Sequence, residues 1–421
     1  MKVVQINATY GNGSTGGIVK DIQYQCLQSG IGCYVAYSTS TIPEDSIING
    51  YQIGSPIDHK THALLCRING KQGYFSRLAT RTLLRWLDEL QPDVINIHNL
   101  HSNFINLPML LNWIAKHDIP LVVTLHDCWY FTGGCFHFTS SKCSRWKEAC
   151  GCCPRKLKDI PSFFDSSSKV LRDRRKLFIR IPNLRVVGVS QWTLEVAQQG
   201  IFKNTRCSVI YNGIDLNVFK PIIDAETISS IRHKYGIKNR FVILGPASKW
   251  LMPENRELLR RTLQLGEDYA LVLYGCTHQQ LIKEEAFQTV DDKTTQLIKI
   301  GFTKCQEELV EIYNMADVFI NCTHEDTFSL INVESQACGT PVICYANTGA
   351  KETVNPEFGS LINTDDIDSI IESVVSLKSS CPVKSIDDEL SRWVAVQFNK
   401  KYNYQEYIYL YQEMTRGDSI S

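Results

Sequence analysis

Short apolar runs alternate with longer stretches of helical patterning along most of the 421-residue chain. In the first half the runs are KVVQIN, CYVAYS, PDVINIHN, PLVVTLHD and LRVVGVS; in the second they are RFVILGPAS, YALVLYG, ADVFINCT and TPVICYA. Runs this short and this continuously apolar suit strands covered on both faces, and strands separated by helical segments connect in parallel. Two such series predict an α/β protein of two Rossmann-like, doubly wound domains. The pattern breaks at VIYNGIDLNVFKP, residues 209–221, where Asn-Gly and a closing Pro mark a hinge. The domains are therefore expected at 1–208 and 209–399. The Tyr- and Phe-rich end of the chain reads as a helix, with residues from about 400 to 421 packing back on the first domain.

Composition narrows the class. A chain of this length exceeds one ordinary core, which agrees with two domains. Lys plus Arg and Asp plus Glu both total 44, so no electrostatic argument favours nucleic acid. No run approaches a membrane-spanning length. MKVVQINATYGNGSTGG reads as a strand and a loop rather than a secretion signal, so the expected place is the cytoplasm, with the 16 cysteines mostly reduced.

In doubly wound folds, ligands sit where strand ends lead into helix starts. The polar clusters of this chain fall there: GNGSTGG after the first run, HNLHSN and HDCW in the same half, and EDTFS after ADVFINCT. The Gly11–Gly17 loop would let backbone approach an anion, with Gly16 and Gly17 at the helix start; it serves equally as a tight turn. His126 could donate to a sugar hydroxyl or stabilise charge, or simply cap the strand. The stretch EDTFSLINVESQACGTP, residues 325–341, opens with acids and then carries Glu334 among apolar neighbours. A buried carboxylate is costly without hydrogen bonds, and a ribose diol is one source of them. The N–H groups of Ser329, Leu330 and Ile331 would meanwhile face a diphosphate at the helix start. Asp326, eight positions before Glu334, could reach the group attached to it. Asp365-Asp366 reads as a solvated helix cap rather than a metal motif.

EDTFSLINVESQACGTPVICY resembles the signature of glycosyltransferase family 4, retaining enzymes of the two-domain GT-B fold. PDVINIHNLHSNFINLP, PLVVTLHDCWYFTGGC, VVGVSQWTLEVAQQG, VIYNGIDLNVFKP and IGFTKCQEELVEIYNMADVFIN also look like family segments, so the resemblance spans most of the chain. The nearest branch builds bacterial exopolysaccharides of the colanic-acid type. The resemblance implies two domains facing across a cleft, a UDP- or GDP-linked sugar as donor, and a glycan or lipid-linked saccharide as acceptor. No catalytic metal is needed. Glu334 would bind the ribose, Asp326 would lie near donor-sugar hydroxyls, and Gly16 and Gly17 would lie against the diphosphate. His126 would contact the sugar, and backbone around Gly301 and Phe302 would meet the base. Where the family carries an Arg followed five residues later by Lys-Gly, this chain reads GPASKWLMPENREL. Lys249 takes the Arg position, and Glu254-Asn255 stands in place of Lys-Gly. Arg256, Arg260 or another cation would have to substitute.

Two further features leave alternatives open. Cys150 and Cys153 have the two-residue gap of zinc knuckles, and Cys135 and Cys143 could complete a structural site; a set of reduced thiols is the other reading. KVLRDRRKLFIRI, residues 169–181, is basic and amphipathic, suited either to an ordinary surface helix or to peripheral contact with the inner face of a membrane. Rival activities are a non-catalytic nucleotide-sugar-binding protein and a sugar-nucleotide epimerase, both of the same fold. A nicotinamide dehydrogenase is weaker, because GNGSTGG lacks the dinucleotide spacing.

Overall fold

The computed structural model describes residues 1–237, 239–282, 297–380 and 388–416. The chain divides into two compact units, one of Met1–Asn212 with Lys400–Ser421 and one of Gly213–Asn399.

The first unit holds a parallel sheet of seven strands: β1 (Lys2–Tyr10), β2 (Gly32–Ser40), β3 (Gly50–Gln52), β4 (Val94–Ile97), β5 (Leu121–Leu125), β6 (Leu184–Gly188) and β7 (Arg206–Val209). Their order is β3-β2-β1-β4-β5-β6-β7. The reversal falls between β1 and β4, which pair directly from Val3↔Val94 to Ile6↔Ile97. β4, β5 and β6 are buried at every position, which explains their unbroken apolar runs. The Lys400–Arg416 helix belongs to this unit and packs on β4 and on the Gly13–Gln28 helix. Asn96 of β4 donates to its Tyr411 hydroxyl at 2.7 Å.

The second unit holds six parallel strands: β8 (Phe241–Pro246), β9 (Tyr269–Cys276), β10 (Leu297–Gly301), β11 (Val318–Asn321), β12 (Val342–Tyr345) and β13 (Ser360–Ile362). Their order, β10-β9-β8-β11-β12-β13, is the doubly wound dinucleotide-fold order counted within the unit. Its reversal lies between β8 and β11.

The basic segment 169–181 has the two sides of an ordinary surface helix, with Arg174 turned inward. It forms a helix, Ser167–Phe178, whose Val170, Leu171, Arg174 and Phe178 are buried. Phe178 meets Phe202 and Tyr130 in the core, and the Arg174 guanidinium stacks on Trp129 at 3.8 Å. Most of the apolar side of this helix is spent on the protein's own core, while Arg172, Arg175, Lys176 and Ile179 are exposed. Among the described residues, no helix is long and apolar enough to cross a membrane.

Candidate functional site

In the second unit the loops at the sheet reversal are locked together. After β8 the chain turns into the short Ala247–Trp250 helix, whose Trp250 donates to Ile320 O of β11 at 3.1 Å. A Cβ on Gly245 would fall 1.8 Å from the Trp250 ring nitrogen, so only glycine lets that ring close over the strand. Asn255 is buried and its amide donates to Lys249 O at 2.9 Å and Cys322 O at 3.1 Å. It fixes the Lys249 loop to the end of β11. Asn255 therefore has a structural task at the position where a Lys-Gly pair was expected. Lys249 itself is half-buried, whereas Glu254 and Arg256 are exposed. Arg260 pairs with Glu257, 2.8 Å from its Nε.

After β11, Asn321 donates to Ser329 Oγ and Asn332 Oδ1, both at 2.8 Å. This ties the loop to the Leu330–Ala337 helix. Asp326 Oδ1 accepts from Phe328 N–H at 3.2 Å, and its backbone carbonyl accepts from Gly349 N–H at 3.1 Å. Asp326 thus shapes the loop as well as supplying charge to it. The Ser329 side chain does not cap the following helix and no acid stands in its first turn; Asp326 is the acid that precedes it.

Glu334 lies one turn further on, half-buried. Tyr313 O–H donates to its Oε2 at 2.9 Å, and the Tyr274 hydroxyl lies 3.3 Å from that of Tyr313. Burial pushes the Glu334 carboxyl up to about 7, although the Tyr313 hydrogen bond opposes the rise. A carboxylate held this way gains from any ligand that brings more donors. At the next strand ends, the Phe302 ring is 73% exposed and passes beside Gly275, whose φ is +70. Gly301 ends β10 at a register shift against β9.

The first unit presents a second polar group at its own reversal. Gln5 donates through Nε2 to Val19 O at 3.1 Å, which turns its Oε1 toward His98 Nε2 at 3.1 Å. His98 Nε2 must then carry the proton, leaving Nδ1 to accept from His126 Nε2–H across 3.0 Å. Burial lowers both rings, His126 to about 4, so His126 is a neutral hydrogen-bonding group at ordinary pH rather than a charge-stabilising cation. Beside it, Asp127 Oδ2 lies 2.9 Å from His101 Nε2, and Oδ1 accepts from Trp129 N–H. Burial alone would raise Asp127; the His101 charge and these hydrogen bonds outweigh it and hold the carboxyl low.

Gly16 is buried, and a Cβ there would lie 2.8 Å from Thr9 Oγ1, so it serves the tight strand-to-helix turn. Gly17 opens onto space, with nothing within 4 Å of a Cβ. Gly11 and Gly13 supply the positive φ values, +66 and +65, that the turn requires.

Cys135, Cys143, Cys150 and Cys153 line one small cavity. The Cys135 and Cys153 sulfurs are 3.7 Å apart. The Cys135 thiol donates to Cys153 and lowers it to about 7, while Cys135 itself is raised. As the side chains stand, no group of three or more His, Cys, Asp or Glu among the described residues is arranged to hold a metal ion. A cavity of about 820 Å³ lies at the opposite, amino-terminal ends of β5 to β7, beside Pro120, Leu184 and Arg206, and includes none of the predicted site residues.

Sequence reasoning missed Tyr313, the partner of Glu334, with Tyr274 behind it, and Gln5 and His98, which orient His126. They lie on other strands and helices, and only the topology brings them in.

A family model for Glycosyltransferase Family 4 matches residues 52–218, and one for Glycosyl transferases group 1 matches residues 253–384. The chain is 23% identical to WcaC of Escherichia coli strain K12, named as a colanic acid biosynthesis glycosyl transferase, over 98% of this chain and 100% of that protein. Its fold is similar to that of Anabaena Alr3699/HepE in complex with UDP, with a TM-score of 0.66 and 17% identity over 98% and 100% of the two chains. It is also similar to WaaG, a glycosyltransferase involved in lipopolysaccharide biosynthesis, with a TM-score of 0.67 and 14% identity over 99% and 100%. The two doubly wound sheets and these likenesses show the GT-B fold.

Proposed function

We propose, from the premise that this chain belongs to the glycosyltransferases described by those two family models, that it transfers a sugar with retention of configuration from a nucleotide-sugar donor to a glycan or lipid-linked acceptor in bacterial exopolysaccharide assembly. The observation that carries the donor reading is Glu334, half-buried, hydrogen-bonded by Tyr313 and raised to about 7 on a helix that the Ser329 side chain does not cap. A ribose diol supplies donors to that carboxylate, and a diphosphate supplies the anion at the helix start.

In this reading Lys249 meets the leaving diphosphate, with Arg256 at the next helix start. Asp326 lies near the sugar hydroxyls, and Phe302 with Gly301 borders the base. The neutral His126 lies near the donor sugar, and Gly17 gives the diphosphate room. Both UDP- and GDP-linked donors stay in the reading: the similar Anabaena HepE is in complex with UDP, and a GDP-mannose-dependent mannosyltransferase of Corynebacterium glutamicum is 22% identical over 45% of this chain. The working place is the cytoplasm. For the thiol cluster, a set of reduced thiols and a structural zinc are the two readings. A tetrahedral site with Zn–S of about 2.3 Å has sulfur–sulfur edges of about 3.8 Å, close to the Cys135–Cys153 spacing, and metal analysis of the purified protein decides it.

The test is a panel of UDP- and GDP-sugars, screened by thermal shift and then by release of nucleotide with and without acceptor. Turnover with one donor class is expected. Binding without any release would favour the non-catalytic reading that exposed Glu254 suggests.

A further inference from the structure

The Pro56–Asn69 helix is inside out. Its buried residues are His62 and Cys66, while Ile57 is 78%, Leu64 62% and Ile68 38% exposed. These three stand at i, i+7 and i+11, within about 40° of one another around the helix, so they form one apolar stripe facing solvent. The loop from the cysteine cluster runs along the end of this helix. Phe163 N–H donates to Arg67 O at 2.9 Å and Phe164 N–H to Ile68 O at 3.1 Å, with Ser166 Oγ donating to Asn69 O. Both rings extend outward, 75% and 65% exposed, and Leu157 on the same loop is 75% exposed. Contiguous exposed apolar side chains of this kind mark an interaction surface.

The charges around it are mainly basic, with Asp165 beside Phe164 as an exposed acid. Lys60 and Arg67 flank the stripe and are exposed, as is Lys158, and Lys156 Nζ reaches Phe163 O at 3.0 Å. The acids of the loop are engaged by its own donors. Asp159 is held in a buried ion pair with Arg155 at 2.7 Å, and Asp165 accepts from Cys153 and Ser167 N–H groups. Protruding aromatic and aliphatic side chains interleaved with cations match an anionic lipid interface, where rings insert and cations meet headgroups.

We propose that the outward face of the Pro56–Asn69 helix, together with Leu157, Phe163 and Phe164, docks the protein on an anionic phospholipid surface. This face takes the place of residues 169–181, most of whose apolar side is buried. The proposal is independent of the donor reading, because it concerns binding and not turnover.

The test is co-sedimentation of the full chain with vesicles of phosphatidylcholine alone and of phosphatidylcholine with phosphatidylglycerol. Binding to the anionic vesicles is expected, falling with salt. Phe163→Ser with Phe164→Ser should lower partition about tenfold or more, and Lys60→Glu with Arg67→Glu should remove most of the salt dependence. The melting temperature and donor turnover should be unchanged, since all four side chains are exposed. Arg172→Glu with Lys176→Glu, on the Ser167–Phe178 helix, should lower partition less than the phenylalanine pair does. Failure of the unaltered protein to bind anionic vesicles overturns the proposal, as does equal binding by the phenylalanine variant. A stable dimer that the same variant dissociates also overturns it, by assigning the face to a second copy.

Discussion

The two units carry polar groups at equivalent places, the strand ends at the reversal of each sheet, but they leave them in different states. In the first unit the line Gln5–His98–His126 is closed on itself, each ring neutral and its tautomer set by the next partner. Asp127 is likewise satisfied by His101 and Trp129. In the second unit Glu334 has a hydrogen bond from Tyr313, yet burial still drives its carboxyl up to about 7, beside a helix start that the Ser329 side chain does not cap. One site is preorganised and at rest. The other stores a desolvation cost that a diol and a diphosphate would relieve, as functional sites commonly do at the expense of stability.

The contrast can be broken at several points. The largest effect is expected at Lys249. If it stabilises the leaving diphosphate, Lys249→Ala should cut kcat about a hundredfold, measured with the donor identified by the panel. Asp326 separates two roles next. Asp326→Asn keeps the cap on Phe328 N–H and should slow transfer while leaving nucleotide affinity intact; Asp326→Ala should loosen the loop and weaken both. Tyr313→Phe removes the group that holds Glu334 down, so nucleotide affinity at neutral pH should fall about fivefold, as read by titration. In the self-satisfied site, Gln5→Leu leaves the His98 N–H without its acceptor and should cost about 1–2 kcal/mol of stability, with little change in nucleotide affinity. Equal losses of affinity from Gln5→Leu and Tyr313→Phe would erase the distinction between the two sites.

The pH dependence follows from the same carboxyl. Glu334 is raised from 4.5 to about 7 in the folded protein. Between those values the folded state binds the extra proton, so Glu334's contribution to ligand-free stability is full below about 4.5 and is lost as pH rises through about 7. The change amounts to at most about 3 kcal/mol, less for the solvent that still reaches the group. Glu334→Gln should flatten this part of the stability profile, seen in denaturant melts across that range.

Much of the fold was legible because burial on both faces writes itself as unbroken apolar runs, as in VINI and LVVTL. The acids at 326 and 334 were legible because a carboxylate inside an apolar helix stands out. Helix faces were the harder matter. In residues 169–181 the basic residues suggested a surface element, and it is one, yet Arg174 is buried on Trp129 and most of the apolar side serves the core. In the Pro56–Asn69 helix, His62 and Cys66 take the inward face while Ile57, Leu64 and Ile68 are exposed. Periodicity shows that a helix has two sides; which side turns inward depends on neighbours far away in sequence. The same holds for Tyr313, 21 residues from Glu334 and on a different helix.

The central claim is tested most directly by calorimetric titration of UDP and GDP into the unaltered protein and Glu334→Gln between about pH 6 and about pH 8. The unaltered protein should bind one nucleotide more tightly as pH rises through about 7 and release a proton below it, while the variant binds more weakly and without pH dependence. Equal affinity and equal proton release by the two proteins would contradict the assignment of Glu334 to the nucleotide.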